Sequence, residues 1–241
     1  MAKHRSSFFA LLPPVAVLAV LVISNYIGQK NSVVQTRAGN GQKENRFPIV
    51  DYDSPEPKDP AELVKRKLRG KRYNKSDWAV NPDAPSDTTV RVDFIDPNLP
   101  AFPISQSPVV VLGRVLDSRA YLSNDKTGVY SVFSIQIEQV LKSSLSITNG
   151  SVIETEREGG RVKFSSGRLH LYLTDKADMP IVGGRYVLFL DGKNDQAFQI
   201  VTAYELQEHK VRPLDRLHDA QRYDNWDESE FLVELTNKLR P

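Results

Sequence analysis

The chain has 241 residues, of which 40% are hydrophobic and 26% charged, with a formal net charge of +2. That is enough apolar content for a real core and enough length for one or two domains. Cysteine is absent, which excludes a disulfide framework, thiolate metal sites and cysteine nucleophiles.

The charge is unevenly placed. Residues 29–75 hold 12 Lys/Arg against 6 Asp/Glu, a balance of +6, whereas residues 76–241 hold 18 against 24, a balance of −6. A basic segment therefore precedes an acidic one.

Lys3 and Arg5 lead an apolar run at residues 8–23, which extends to residue 27 if Ser24 and Asn25 are tolerated. The run is apolar all round, and its length lies between a signal-peptide core and the roughly 20 residues of a membrane helix. Pro13-Pro14 marks its start or kinks it. We expect residues 1–28 to be an uncleaved single-pass anchor, with a cleaved signal peptide and a secreted product as the alternative. The positive-inside rule then leaves the N-terminus in the cytoplasm and the rest of the chain outside it.

Residues 29–104 read as a proline-rich, basic tether. Residues 31–46 are polar with few large apolar side chains, and prolines then recur from Pro48 to Pro108, a pattern that favours extended backbone. One short helix at 60–69 interrupts it. Asp59, Pro60 and Glu62 supply the cap, the first-turn proline and the capping-box acid, and Gly70 reads as its stop. Its Lys65, Arg66, Lys67 and Arg69 suit either docking on the acidic region or contact with an anionic surface. Asp93 and Asp96 have the spacing of a carboxylate pair, but Asp96 before Pro97 is an ordinary turn former.

Residues 107–142 predict two long strands joined by a turn at 124–128. In the second, Phe133, Ile135 and Ile137 alternate with Ser134, Gln136 and Glu138, the period of a strand with one face in a core. Gly113 falls mid-strand, where glycine often marks a bulge. Asn149-Gly150 signals a turn, and Gly159-Gly160 reads as the turn of a hairpin. That hairpin would set Glu158 opposite Arg161, Glu156 opposite Lys163 and Glu154 opposite Ser165, a charge ladder that explains three aligned carboxylates without a metal ion.

Further strands are expected at 168–174, 186–191, 198–207 and 210–214. A last helix is expected from Glu228 to Arg240, capped by Asp227 and Glu230, with Phe231, Leu232, Leu235 and Leu239 as its apolar stripe. His170 stands alone in a strand, and His209 and His218 match no local metal spacing. The serine-hydrolase elbow, zincin, P-loop and dinucleotide signatures are absent.

The run VVVLGRV at 109–115, FSIQIEQVLK at 133–142 and GRYVLFL at 184–190 resembles netrin-like modules, a family that includes the tissue metalloproteinase inhibitor domains. The resemblance implies a five-stranded OB-type barrel. It does not carry over metalloproteinase inhibition, because the cysteines of that family, including the metal-chelating N-terminal one, have no counterpart here. The helix those barrels place between their third and fourth strands is not evident either, which leaves a small β-sandwich as the alternative.

The sequence thus predicts a mainly β chain: an anchor at 1–28, a tether at 29–104, a small antiparallel OB-like barrel at 105–215 and an amphipathic helix at 216–241. The function it implies is a membrane-anchored, extracytoplasmic module for protein binding or scaffolding. A carboxylate-dependent hydrolase of the cell envelope is the alternative. Expected partners are the membrane, through residues 8–27, and an envelope protein; neither nucleic acid nor a cofactor is expected. The binding face is expected at Tyr121, Lys126, Tyr130 and Tyr204, whose competing role is to pack with rings half-buried and hydroxyls wet.

Overall fold

Strands dominate the computed structural model, which describes residues 46–75, 88–192 and 197–240. The expected anchor at 8–27, its Lys3 and Arg5 flank, and most of the polar stretch that follows lie outside the described residues. Among the described residues, no helix is long and apolar enough to cross a membrane.

In chain order the elements are β1 (Ile49–Asp51), α1 (Pro60–Arg72), β2 (Thr88–Phe94), β3 (Val109–Leu122), β4 (Val129–Ser143), β5 (Val152–Lys163) and β6 (Leu169–Asp175). They continue as β7 (Arg185–Asp191), β8 (Phe198–Gln207), β9 (Lys210–Pro213), α2 (His218–Gln221) and α3 (Glu228–Leu239). Strands β3, β4, β5, β7 and β8 close into a barrel. β3 pairs with β4 and β7, β4 with β5, and β7 with β8, all antiparallel. A short parallel pairing of β5 with β8, Thr155 opposite Phe198 and Glu156 opposite Gln199, shuts the ring. That closure rules out the sandwich.

The long first pair forms as its period of two predicts. Phe133, Ile135 and Ile137 are buried in the barrel interior with Val111, Val115, Tyr186, Leu188 and Leu190. The outward side chains of β3 and β7 are buried as well. Val110, Leu112, Val187 and Phe189 lie beneath α3, whose Phe231 and Leu235 cover them. Two covered faces explain why these strands read as continuous apolar runs rather than alternating ones. The N-cap of α3 is the one expected, with the Asp227 carboxylate accepting from the Ser229 N–H at 2.9 Å.

Gly113 sits at a shift in the β3–β4 register. A Cβ there would lie 2.7 Å from Ile135 Cγ2 and 2.8 Å from the Gln136 carbonyl, so only glycine lets the two strands approach and bend.

Three expectations need correcting. First, Gly159-Gly160 is not a hairpin turn. β5 runs straight through it, pairing with β4 up to Glu158 and with β6 from Gly159 onward. Gly159 has φ +112°, and a Cβ on it would meet Met179 Cε at 2.8 Å and the Tyr172 carbonyl at 2.9 Å. The pair is the joint where one strand leaves the barrel for a second sheet.

Second, the stretch read as a tether is partly structural. Phe47 is buried in the barrel core, β1 lies parallel to β5, and β2 lies parallel to β6. Three of the sheet's pairings are therefore parallel, so it is mixed rather than antiparallel. A single large side chain such as Phe47, flanked by polar residues, has no period to reveal it. Third, Gly70 does not end α1, which continues to Arg72. Gly70 is buried against the Asn124 side chain, where a Cβ would collide.

One buried charge group ties the barrel to the segment after β9. Arg157 donates to Asp215 Oδ2 at 2.7 Å and to the Asp178 carbonyl at 2.7 Å. Thr202 donates to the same Asp215 oxygen at 2.8 Å. Removing one partner of such a pair leaves the other charged and dry, which costs about 3–5 kcal/mol. Asp215→Ala should therefore lower stability by about 3–5 kcal/mol, and Gly113→Ala by about 1–3 kcal/mol through overpacking. Urea unfolding of both variants checks this; wild-type midpoints for both would show that neither contact constrains the barrel.

Candidate functional site

The outward face of β5 presents Glu154, Glu156 and Glu158, and α1 lies along it. Two strand residues advance about 6.8 Å, and three to four helix residues advance about 4.5–6 Å. Basic residues three or four apart on a helix therefore keep step with acids two apart on a strand. The contacts follow that match. Lys65 Nζ is 2.7 Å and Arg69 Nη2 2.5 Å from Glu154 Oε2. Arg72 Nη2 is 2.7 Å from Glu156 Oε1, and Arg69 Nε is 3.7 Å from Glu156 Oε2. Lys75 Nζ, just past the helix, is 3.2 Å from Glu158 Oε1.

The carboxylates therefore face α1, not Arg161, Lys163 and Ser165. The reason is the continuous β5: without a turn at Gly159-Gly160, Arg161 and Lys163 lie further along the same strand. Arg161 instead donates through Nε to the Phe47 carbonyl at 2.7 Å. Of the two roles open to the basic helix in the sequence, docking on acidic residues is the one that uses Lys65, Arg69 and Arg72.

An aromatic floor lies beside the charges. The Tyr73 ring stacks on Tyr130 with centroids 4.5 Å apart and planes 11° apart, and Tyr121 leans on Tyr130 at 5.6 Å. Arg66 places its guanidinium 5.1 Å over the Tyr121 ring. The Tyr73 hydroxyl donates to Glu156 Oε1 at 3.0 Å. The β3–β4 turn grips the helix from the end. Asn124 Nδ2 donates to the Lys67 carbonyl at 2.8 Å, and Thr127 Oγ1 accepts from the Lys75 N–H at 2.7 Å. Gly128 lies under the Tyr73 carbonyl, too close for a Cβ.

Of the four residues expected to bind, two meet here. Tyr121 and Tyr130 form the floor, and Lys126 in the turn donates to the Tyr52 carbonyl at 3.1 Å with its ammonium 4.4 Å over the Tyr52 ring. Tyr204 is elsewhere. It is buried beneath α3, and its hydroxyl donates to the Ala101 carbonyl at 2.5 Å. Tyr130 and Tyr204 are both fully buried by the chain's own residues, so the four do not make one exposed face. Glu154, Glu156, Arg69 and Tyr73 complete the site. Their sequence signal was the matched step of the two charge rows, hidden because the hairpin reading had already paired the glutamates locally.

A cleft of about 210 Å³ opens beside this interface, lined by Tyr73, Glu156, Glu158, Thr174 and Gln199 among others. Among the described residues, no group of three or more acidic or histidine side chains is arranged to hold a metal ion. His170 is buried, with Nδ1 3.4 Å from the Tyr172 hydroxyl. Asp96 accepts from the Asn98 N–H at 2.9 Å, as a turn former does. Asp93 lies on β2, whose side chains are not described.

Two neighbouring carboxyls of the glutamate row, Glu154 and Glu156, shift in opposite directions. Burial raises the Glu156 carboxyl above its ordinary 4.5, against the pull of Arg72, the Tyr73 hydroxyl and Arg69. Burial acts the same way on Glu154, but hydrogen bonds from Lys65 and Arg69 and their charges outweigh it and hold that carboxyl below 4.5. Burial and the Glu156 charge push the Tyr73 hydroxyl well above its usual value. The row is thus a receptor for cations, with its central acid held at a desolvation cost.

No protein-family model matches the chain, and no curated protein matches it.

Linkage fixes the sign of the pH response. Glu154 supports docking fully above pH 4.5, and that support is lost as pH falls through its depressed value. The Glu156 contribution is full below pH 4.5 and is lost as pH rises through its raised value. Relative to wild type, α1 amides in Glu156→Gln should gain protection as pH rises across the carboxylate range, and those in Glu154→Gln should lose it. Hydrogen exchange resolved to α1 measures this. Shifts of the same sign in both variants would refute the assignment.

Proposed function

We propose that the chain is a membrane-anchored, extracytoplasmic scaffolding module built on an OB-type barrel. Number its barrel strands in chain order as β3, β4, β5, β7 and β8. The ring then runs first, second, third, fifth, fourth and back to the first, with the third and fifth parallel, which is the OB arrangement. A strand, β6, stands where OB barrels commonly carry a helix between their third and fourth strands. The netrin-like resemblance rests on this barrel and extends no further, since the chelating cysteine of the inhibitors is missing.

One observation carries the scaffolding reading. OB barrels take ligands on the face of their second and third strands, beside the first turn, and here that face holds a basic helix. Glu154, Glu156, the Tyr121–Tyr130 floor and Asn124 grip α1 through charge, ring stacking and backbone contacts. That is the chemistry of polypeptide recognition. The barrel thereby holds, in a defined orientation, the segment that follows the expected anchor, and an envelope protein is the partner it would present itself to. The hydrolase reading needs a carboxylate with freedom to act, and nothing about the buried, Arg72-paired Glu156 favours it.

Two measurements test the proposal on the full chain. A cysteine-free protein allows Val233→Cys, at an exposed position on α3, to be labelled by an impermeant maleimide. Labelling in intact cells is expected; labelling only after lysis would overturn the orientation. Chemical cross-linking in membranes followed by purification should recover one stoichiometric protein. Recovery of the chain alone would overturn the scaffolding role.

A further inference from the structure

Helix α1 is inside out. Its inward side is the charged one, with Lys65, Arg69 and Tyr73 on the barrel, while Ala61, Val64 and Leu68 point away and Leu63 is half-buried. Val64 is 59% and Leu68 51% exposed, and Ala61 is exposed on the same side. Positions 61, 64 and 68 lie on one face of a helix, one and two turns apart. Surface helices of folded domains normally turn such a stripe inward, so an outward one is informative where a lone exposed leucine would not be.

Lysines frame the stripe. Lys67 and Lys71 are exposed beside Leu68, and Lys58 is exposed just before the helix. The acids near them are few: Glu56, 3.9 Å from Lys67 with both groups well exposed, Asp59 engaged as the N-cap, and half-buried Glu62. An exposed pair at that distance contributes little. The three glutamates of β5 pair with Lys65, Arg69, Arg72 and Lys75, whereas exposed Lys67, with only exposed Glu56 near it, and exposed Lys71 face outward.

We propose that the outward face of α1 docks on the surface of an anionic lipid bilayer, Val64 and Leu68 entering the headgroup boundary and Lys58, Lys67 and Lys71 meeting lipid phosphates. Helices with an apolar stripe flanked by lysines bind in this way, their long side chains reaching up to the headgroups, and an anionic surface attracts each lysine near it. Two aliphatic side chains and an alanine are far short of the roughly 800 Å² per partner that a stable protein interface buries. A bilayer needs no such area when an anchor already supplies proximity. A nucleic acid would use the lysines but leave Val64 and Leu68 in water. The inference rests on the anchor proposed above, which keeps α1 within reach of a membrane. The barrel's role is then to clamp the helix by its basic side so that its apolar side faces lipid.

The test uses the full chain with Leu68→Cys as its single cysteine, carrying an environment-sensitive fluorophore. It is reconstituted into vesicles of phosphatidylcholine alone and of phosphatidylcholine with phosphatidylglycerol, with a label at Val233→Cys as the reference. At position 68 we expect a blue shift and a several-fold rise in emission with phosphatidylglycerol only, reversed by high salt and abolished by Lys67→Glu with Lys71→Glu. The label at 233 should stay aqueous in both. A water-like signal at 68 in the anionic vesicles overturns the proposal. So does an equal shift in neutral vesicles, and so does a shift that follows protein density, which would mean a second copy covers the face. Flotation with neutral vesicles reports the anchor separately. A chain that fails to float there but shifts at 68 when anionic vesicles are added loses the anchor and keeps the lipid contact.

Discussion

Strand β5 must serve two sheets at once, and most of the fold is arranged around that demand. Its first half closes the barrel against β4 and β8, and its second half joins β1 and β6. A strand can change sheets only where backbones approach more closely than side chains allow. Gly159 and Gly160 provide that place, the former with its positive φ and with Met179 and Tyr172 pressed against it. Every side chain after the joint is carried into a different layer: Val162 and Phe164 pack with Val50, Leu122 and Tyr172 rather than in the barrel. The glutamates before the joint are left facing outward, where only another element can pair them.

Polar burial at the barrel is extensive, and the buried Arg157, Glu205 and Asp215 are paired. Asp215 receives Arg157, Thr202 and a backbone N–H from Asp178. Glu205 is buried at the barrel, accepting from the Tyr186 hydroxyl at 3.2 Å and lying 3.4 Å from Arg46. Such groups add less to stability than apolar side chains of equal size would, because each charge loses its water. Their consequence here is uniqueness of arrangement: each joins elements far apart in sequence, and each is satisfied only when those elements are correctly placed. The long apolar cores supply the bulk of the driving force.

The α1 interface follows the same logic with a different outcome. Its charges are paired across the helix–strand contact, so the helix is held by groups that ordinarily face water, and its aliphatic residues are displaced to the outside. A helix docked by charge is sensitive to salt and to carboxylate protonation in a way that a helix docked by leucines is not. α3 offers the comparison within the same molecule. Its Phe231 and Leu235 are completely buried on β3, β7 and β8, and Glu228 and Glu230 stand in its first turn, where the dipole favours them.

The local features were legible in the amino-acid order: the period of two in β4, the continuous apolar runs of β3 and β7, the N-caps of α1 and α3, the turn residues at 124–128, and Gly113 as a bulge. These depend on neighbours a few positions apart, and sequence displays such neighbours directly. The order of the barrel strands, the passage of β5 through Gly159-Gly160 and the pairing of Glu154 with Lys65 and Arg69 are different. A Gly-Gly pair between alternating strands satisfies a hairpin and a sheet-to-sheet joint equally well, and only Tyr172, Met179 and Val129 closing around it decide between them. Likewise, a basic helix and an acidic strand some 80 positions apart, 85 in the case of Arg69 and Glu154, have no local signature of contact. Tertiary packing alone placed their rows side by side, where four residues of helix, about 6 Å, roughly keep step with two residues of strand, about 6.8 Å.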